Sequence, residues 1–86
     1  MHTIELLEQC CEVARTLGYQ IRHEWLGGSG GGACEFGGRK WIFVDLALNV
    51  DEQLDQVTRA LQQDPGIHLC RLSGALSRQL GVRRAA

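Results

Sequence analysis

Apolar residues return at helical spacing from the first turn of the chain. Leu6, Cys10, Val13 and Leu17 form one stripe, and Ile4, Leu7, Cys11 and Ala14 widen it. Glu5, Glu8 and Glu12 fall outside the stripe. The pattern predicts an amphipathic helix over residues 3–17, with Thr3 as its cap and Gly18 as the left-handed residue that ends it. At residues 19–26, "YQIRHEWL", the period drops to two. Tyr19, Ile21, His23 and Trp25 then share one strand face, and Gln20, Arg22 and Glu24 share the other.

Two further β runs, "ACEF" and "RKWIFVDLAL", flank Gly37-Gly38. A Gly-Gly pair permits the primed turn of a tight hairpin. That turn sets Glu35 opposite Lys40, Cys34 opposite Trp41 and Ala33 opposite Ile42. Asn49 then opens a second helix, with Glu52 completing a capping box and Val50, Leu54, Val57 and Leu61 as the apolar stripe. Pro65-Gly66 stops it. "IHLCRL" fits either an extended or a helical segment, Ser73 to Leu80 reads as a short last helix, and residues 81–86 read as a frayed end. The order α-β-β-β-α predicts one α+β domain: a three-stranded antiparallel meander packed by two helices, plus the short C-terminal helix.

The third strand is apolar on both sides. Ile42, Val44 and Leu46 make one face; Trp41, Phe43 and Asp45 make the other, with Cys34 and Phe36 joining it across the hairpin. Two helices over three strands hide one face, and the β-branched face suits that role. The aromatic face then needs cover. The first expectation is that residues 67–80 fold back over it. The second is self-association, and the third is stacking of nucleotide bases.

Composition sets the limits on these readings. Eighty-six residues, 44% hydrophobic and 22% charged, describe a small globular domain. The net charge of −1 argues against a general nucleic-acid binder. That sum hides an asymmetry, because every acid lies in residues 1–64 while residues 65–86 hold Arg71, Arg78, Arg83 and Arg84. No apolar run is long enough to span a bilayer, and the acidic N-terminal stretch is unlike a signal peptide, which implies a cytoplasmic protein with free thiols.

The segment "GSGGGA" at residues 28–33 fits a dinucleotide-binding pattern only on paper, since a strand rather than a helix follows it. The residues that could carry binding are His23, Trp25, Gly30, Gly31, Cys34, Phe36, Trp41, Phe43 and Asp45. Within that set, His23 with Asp45 suggests an acid–base couple, and His23 with Cys34 a base and a nucleophile, beside the mobile Gly27–Gly32 segment. A zinc set from His23, Cys34, His68 and Cys70 lacks ligand spacing. No cofactor and no metal is implied.

The run from Trp25 to Val57 resembles a group of small bacterial proteins with no assigned activity. The likeness extends over about residues 6–62, rests on Gly30 to Cys34 and on Trp41 to Leu46, and implies no functional residue. The order α-β-β-β-α is also that of double-stranded RNA-binding domains, but the second helix here opens "NVDEQLDQ", acidic where that family is rich in lysine. The reading favoured by the residues is a non-enzymatic binding or self-association module, a homodimer or a partner of another protein, that uses the aromatic face. A small-ligand or catalytic domain and a nucleic-acid module stand as alternatives.

Overall fold

The computed structural model describes residues 2–82. Its elements are α1 (Thr3–Thr16), β1 (Tyr19–Glu24), β2 (Gly32–Phe36), β3 (Arg39–Asp45), α2 (Val50–Gln62), a 3₁₀ helix (Pro65–Leu69) and α3 (Gly74–Leu80). This is the α+β order read from the sequence. The fray expected at the C-terminus, and with it Arg83 and Arg84, falls mostly outside the described residues.

Local chemistry accounts for the boundaries. Asn49 accepts the amide of Glu52 while the Glu52 carboxylate accepts that of Asn49, a complete capping box. Ser73 caps α3 through the amide of Leu76, and Gly81 closes it in the left-handed region. Gly18, at φ +95°, ends α1. Thr3 does not cap that helix. It is the first helical residue, and His2 stands at the cap position without a side-chain hydrogen bond. Of the ambiguous "IHLCRL" stretch, residues 67–69 end the 3₁₀ helix, whose first turn is set by Pro65 and by the Asp64 carboxylate accepting from Gly66, and residues 70–72 leave it without regular structure.

The sheet corrects the predicted meander. Its order is β1-β3-β2, with β1 parallel to β3 and β2 antiparallel to it. The hairpin has the expected register, Glu35 on Lys40, Cys34 on Trp41 and Ala33 on Ile42. What the meander misplaced is β1, which skips β2 and pairs with β3. The physical reason is burial. Only β3 is apolar on both sides, so it gains most from the central position, and Ile42 and Val44 are completely buried there.

All the described helices lie on one side of the sheet. α1 covers β1, α2 covers β2 and β3, and the 3₁₀ helix and α3 pack on the helices rather than on the strands. The core joins Cys10 and Ala14 of α1, Ile42 and Val44 of β3, Val57 and Leu61 of α2, then Ile67, Leu76 and Leu80. Burying each large aliphatic side chain in this cluster contributes roughly 1.5–3 kcal/mol. The smallest dimension of the molecule is 16 Å, the depth of one sheet and one helix layer. The expectation that residues 67–80 cover the aromatic face is therefore wrong. Ile67, Leu76 and Leu80 are drawn into the helix layer, where α2 already offers an apolar stripe.

One polar cluster ties the layers together. Asp64 accepts hydrogen bonds from the Tyr19 hydroxyl at 2.8 Å, from Lys40 Nζ at 2.8 Å and from the Gly66 amide at 2.8 Å. Lys40 also donates to the Leu17 carbonyl and lies 4.3 Å from the centre of the Tyr19 ring. The Lys40 ammonium thus turns to Asp64, not to Glu35 across the hairpin. These contacts hold the Asp64 carboxyl below its usual range, the Lys40 hydrogen bond most of all, followed by those from Gly66 and Tyr19. Burial, and then the bond to Asp64, push the Tyr19 phenol up to about 12.

Candidate functional site

The open face of the sheet is built by alternation. Paired residues share a side, so Gln20, Arg22 and Glu24 of β1 lie with Arg39, Trp41 and Phe43 of β3 and with Cys34 and Phe36 of β2. The rings of Phe36, Trp41 and Phe43 form a row. Phe36 and Trp41 stack with centroids 5.6 Å apart and planes 9° apart; Trp41 and Phe43 stack at 6.0 Å and 17°. Such offset stacking fixes the rings relative to one another, at about 0.5–1.5 kcal/mol per pair. Phe36 is 58% exposed, and among the described residues no helix packs over this row. The Trp41 indole N–H is shielded and has no hydrogen-bond partner. Arg22 and Glu24 pair with each other at 2.7 Å at the rim.

Asp45 continues the same alternation but is not on the surface. It is fully buried at the end of β3, under the glycine segment. The segment is a crossover. β1 and β3 run in parallel, so β1 ends beside Asp45, and the chain must pass over the end of β3 to begin β2 on its far side. The Asp45 carboxylate anchors that passage. It accepts the amides of Leu26 at 3.0 Å, Gly28 at 2.7 Å and Ala47 at 2.9 Å. Burial alone would raise the pKa of this carboxyl, but the amides of Ala47, Leu26, Gly28 and Gly30 outweigh it and hold the group below its ordinary value. Gln56 of α2 completes the anchor. Its carbonyl accepts from the Asp45 amide at 3.0 Å, and its amide donates to the Gly30 carbonyl at 2.7 Å. A Cβ on Gly31 would stand 2.5 Å from Gln56 Nε2 and 2.8 Å from the Phe43 carbonyl oxygen. The glycine at this position is set by close packing of backbone, and the amides of the crossover turn inward to a carboxylate already in place.

The other sequence candidates are dispersed. His23 pairs with Val44 and so lies on the helix side, where it borders a cleft of about 360 Å³ with Ile4, Leu7, Glu8, Cys11, Glu12 and Arg15. The binding set read from the sequence grouped His23 with the aromatic face, and the structure puts it on the other side; in this parallel pair the odd-numbered residues of β1 follow the even-numbered ones of β3. Trp25 follows β1 and is 76% exposed, apart from the stacked row. Cys34 lies on β2, at the opposite edge of the sheet from His23 and on its other face. Neither Cys34 nor the saturated carboxylate of Asp45 meets His23 in an acid–base geometry. Among the described residues no group of three His, Cys, Asp or Glu side chains lies close enough to share a metal ion.

Cys10 and Cys11 are buried thiols. Burial, and next the neighbouring Cys11, push Cys10 up to about 11, and Cys11 is also raised, chiefly by burial. Cys34 is exposed, and Cys70 is half-buried with its thiol 3.6 Å from the Gly66 carbonyl. Sequence reasoning missed Gln56 and the Tyr19–Lys40–Asp64 cluster. Gln56 sits on an amphipathic helix as one polar residue among many and carries no sequence signal. Asp64 precedes the Pro65-Gly66 stop, and nothing local marks it as the partner of a lysine 24 positions earlier. No family model, no curated protein and no solved structure matches the chain.

Proposed function

We propose that this protein is a non-enzymatic assembly module whose open sheet face packs against the same face of a second copy. The observation that carries the reading is the row Phe36–Trp41–Phe43, over which no described helix packs, on a fold whose described helices lie on the other side of the sheet. A pre-stacked row of rings offers flat apolar area with little side-chain freedom left to lose on binding. A two-fold contact brings each row onto its counterpart, and the opposite charges of Arg22 and Glu24 at the rim suit a self-complementary surface.

Size bounds the strength of this contact. Three strands about 4.8 Å apart, each five to seven residues long at about 3.3 Å per residue, give a planar patch on the order of 300 Å². A stable interface buries about 800 Å² per partner. The face-to-face contact is therefore weak and concentration-dependent. Sedimentation equilibrium tests it. The unsubstituted chain associates, and Trp41→Asp, at a half-buried position outside the core, abolishes the face contact while leaving the far-ultraviolet circular dichroism unchanged. Association through this face that is equally strong in a folded Trp41→Asp chain refutes the reading. Salt-sensitive binding to a single-stranded oligonucleotide would instead assign the row to base stacking.

A further inference from the structure

We infer that the outer edge of β1 is a second interaction surface, and that it takes the β1 strand of another copy in antiparallel pairing centred on His23. Among the described residues no strand pairs with this edge, and its polarity is known. The Glu24 carbonyl accepts from Leu46, and the Leu26 amide donates to Asp45, so both point toward β3. Alternation turns the amides and carbonyls of Ile21, His23 and Trp25 outward, and among the described residues no strand lies beyond them. β1 contains no proline, glycine or bulge to blunt this edge.

Charge selects the partner and the register. Antiparallel pairing of β1 with itself about Arg22 sets Arg22 against Arg22. Pairing about Ile21 sets Tyr19 against His23 and leaves Glu24 without a charged partner. Pairing about His23 sets each Arg22 opposite the Glu24 of the other copy, at the non-hydrogen-bonded positions where side chains approach most closely. The same register sets each Trp25 opposite Ile21 of the other copy, on the helix side of the sheet. There Ile4, Leu7 and Cys11 of α1 line, together with His23, the cleft of about 360 Å³. The 76% exposed indole of Trp25 thus gains an apolar cover that its own chain does not give it. The product is a six-stranded sheet, β2-β3-β1-β1-β3-β2, with all helices on one side and two aromatic rows on the other.

This contact is independent of face-to-face packing, and the experiment keeps the two apart. The full chain carrying Trp41→Asp is studied by sedimentation equilibrium and by amide hydrogen exchange over a range of concentrations. It still dimerises, and exchange at Ile21, His23 and Trp25 slows as concentration rises. Arg22→Glu and Glu24→Arg each weaken that dimer about tenfold or more, because two attractive pairs become two repulsive ones. The double exchange, Arg22→Glu with Glu24→Arg, restores it to within about threefold. Both residues are substantially exposed, so the variants fold. Concentration-independent exchange at the three amides overturns the inference, as does a dimer indifferent to the single reversals. The exchange result is read in the unsubstituted chain as well, so a failure of the Trp41→Asp variant to fold leaves the test intact.

Discussion

Replacing Gly31 and Gly32 by alanine, one at a time, separates backbone conformation from close packing. The two glycines have nearly the same φ, +99° and +102°. Alanine in so sparsely populated a region costs about 1–3 kcal/mol, and the stiffer unfolded chain returns about 0.4–1 kcal/mol of that. This net loss of about 1–2 kcal/mol is common to both sites. At Gly32 nothing lies within 4 Å of the added methyl, so the loss ends there. At Gly31 the methyl meets Gln56 Nε2 at 2.5 Å and the Phe43 carbonyl oxygen at 2.8 Å. The Gln56 side chain must leave, which breaks its bonds to the Gly30 carbonyl and the Asp45 amide. Each is worth about 0.5–1.5 kcal/mol, and the carbonyl of β3 must shift as well. Gly31→Ala therefore loses about 3–5 kcal/mol in all, a large part of the stability of a domain this small. Urea unfolding followed by tryptophan fluorescence reads the difference. With a slope of about 1 kcal/mol per molar urea, the midpoint falls by about 1–2 M for Gly32→Ala and by about 3 M or more for Gly31→Ala. Equal midpoints for the two variants would refute the pinned crossover.

Four further outcomes follow from the same structure. Asp45→Asn destabilises the chain, because the new amide group turns a donor toward one of the amides that Asp45 now accepts; the loss shows as a lower melting temperature at neutral pH. Asp45 and Asp64 both titrate below their ordinary value in the folded chain, so their contribution is present above about pH 4 and is lost as pH falls; Asp64→Asn flattens that acid limb of the stability curve. Tyr19 runs the other way at high pH, since its raised value favours the protonated phenol: its contribution holds below about pH 10 and fades toward about pH 12, and Tyr19→Phe removes that alkaline limb. A chromogenic disulfide reagent titrates Cys34 first and Cys70 next, and reaches Cys10 and Cys11 only with global unfolding; early reaction of Cys10 would contradict its complete burial.

Helices and the hairpin were legible because their signals are local. The Asn49–Glu52 box, the Ser73 cap and the Gly37-Gly38 turn each involve residues no more than a few positions apart. The place of β1 was not, because strand order depends on which strand gains most from burial. Two residue patterns did carry that information. β3 is apolar on both sides, as a central strand should be, and six glycine or serine residues are more than a tight β1–β2 hairpin needs. The aromatic row was readable for β2 and β3, where the register was known, and misread for His23, whose face depended on a parallel pairing. Gln56, Asp64 and the anchoring role of Asp45 required the tertiary structure, since each acts on groups far away in sequence.

The crossover and the two proposed surfaces have a common cause. Placing β3 at the centre leaves β1 and β2 both at edges, and it forces the chain over the end of β3. The cost of that passage is a set of backbone groups facing inward: Asp45 accepts from the amides of Leu26 and Gly28, and Gln56 donates to the Gly30 carbonyl. The pinned crossover fixes the outward-facing groups of Ile21, His23 and Trp25 in turn, because the inward bonds of Glu24 and Leu26 set the alternation. Loss of the Asp45 anchor should therefore weaken pairing at the β1 edge before it affects the stacked rings, which are held by the β2–β3 hairpin. In Asp45→Asn, exchange protection at Trp25 declines first, while near-ultraviolet dichroism from the aromatic row persists. Simultaneous loss of both signals would mean that the edge and the face are not independently built.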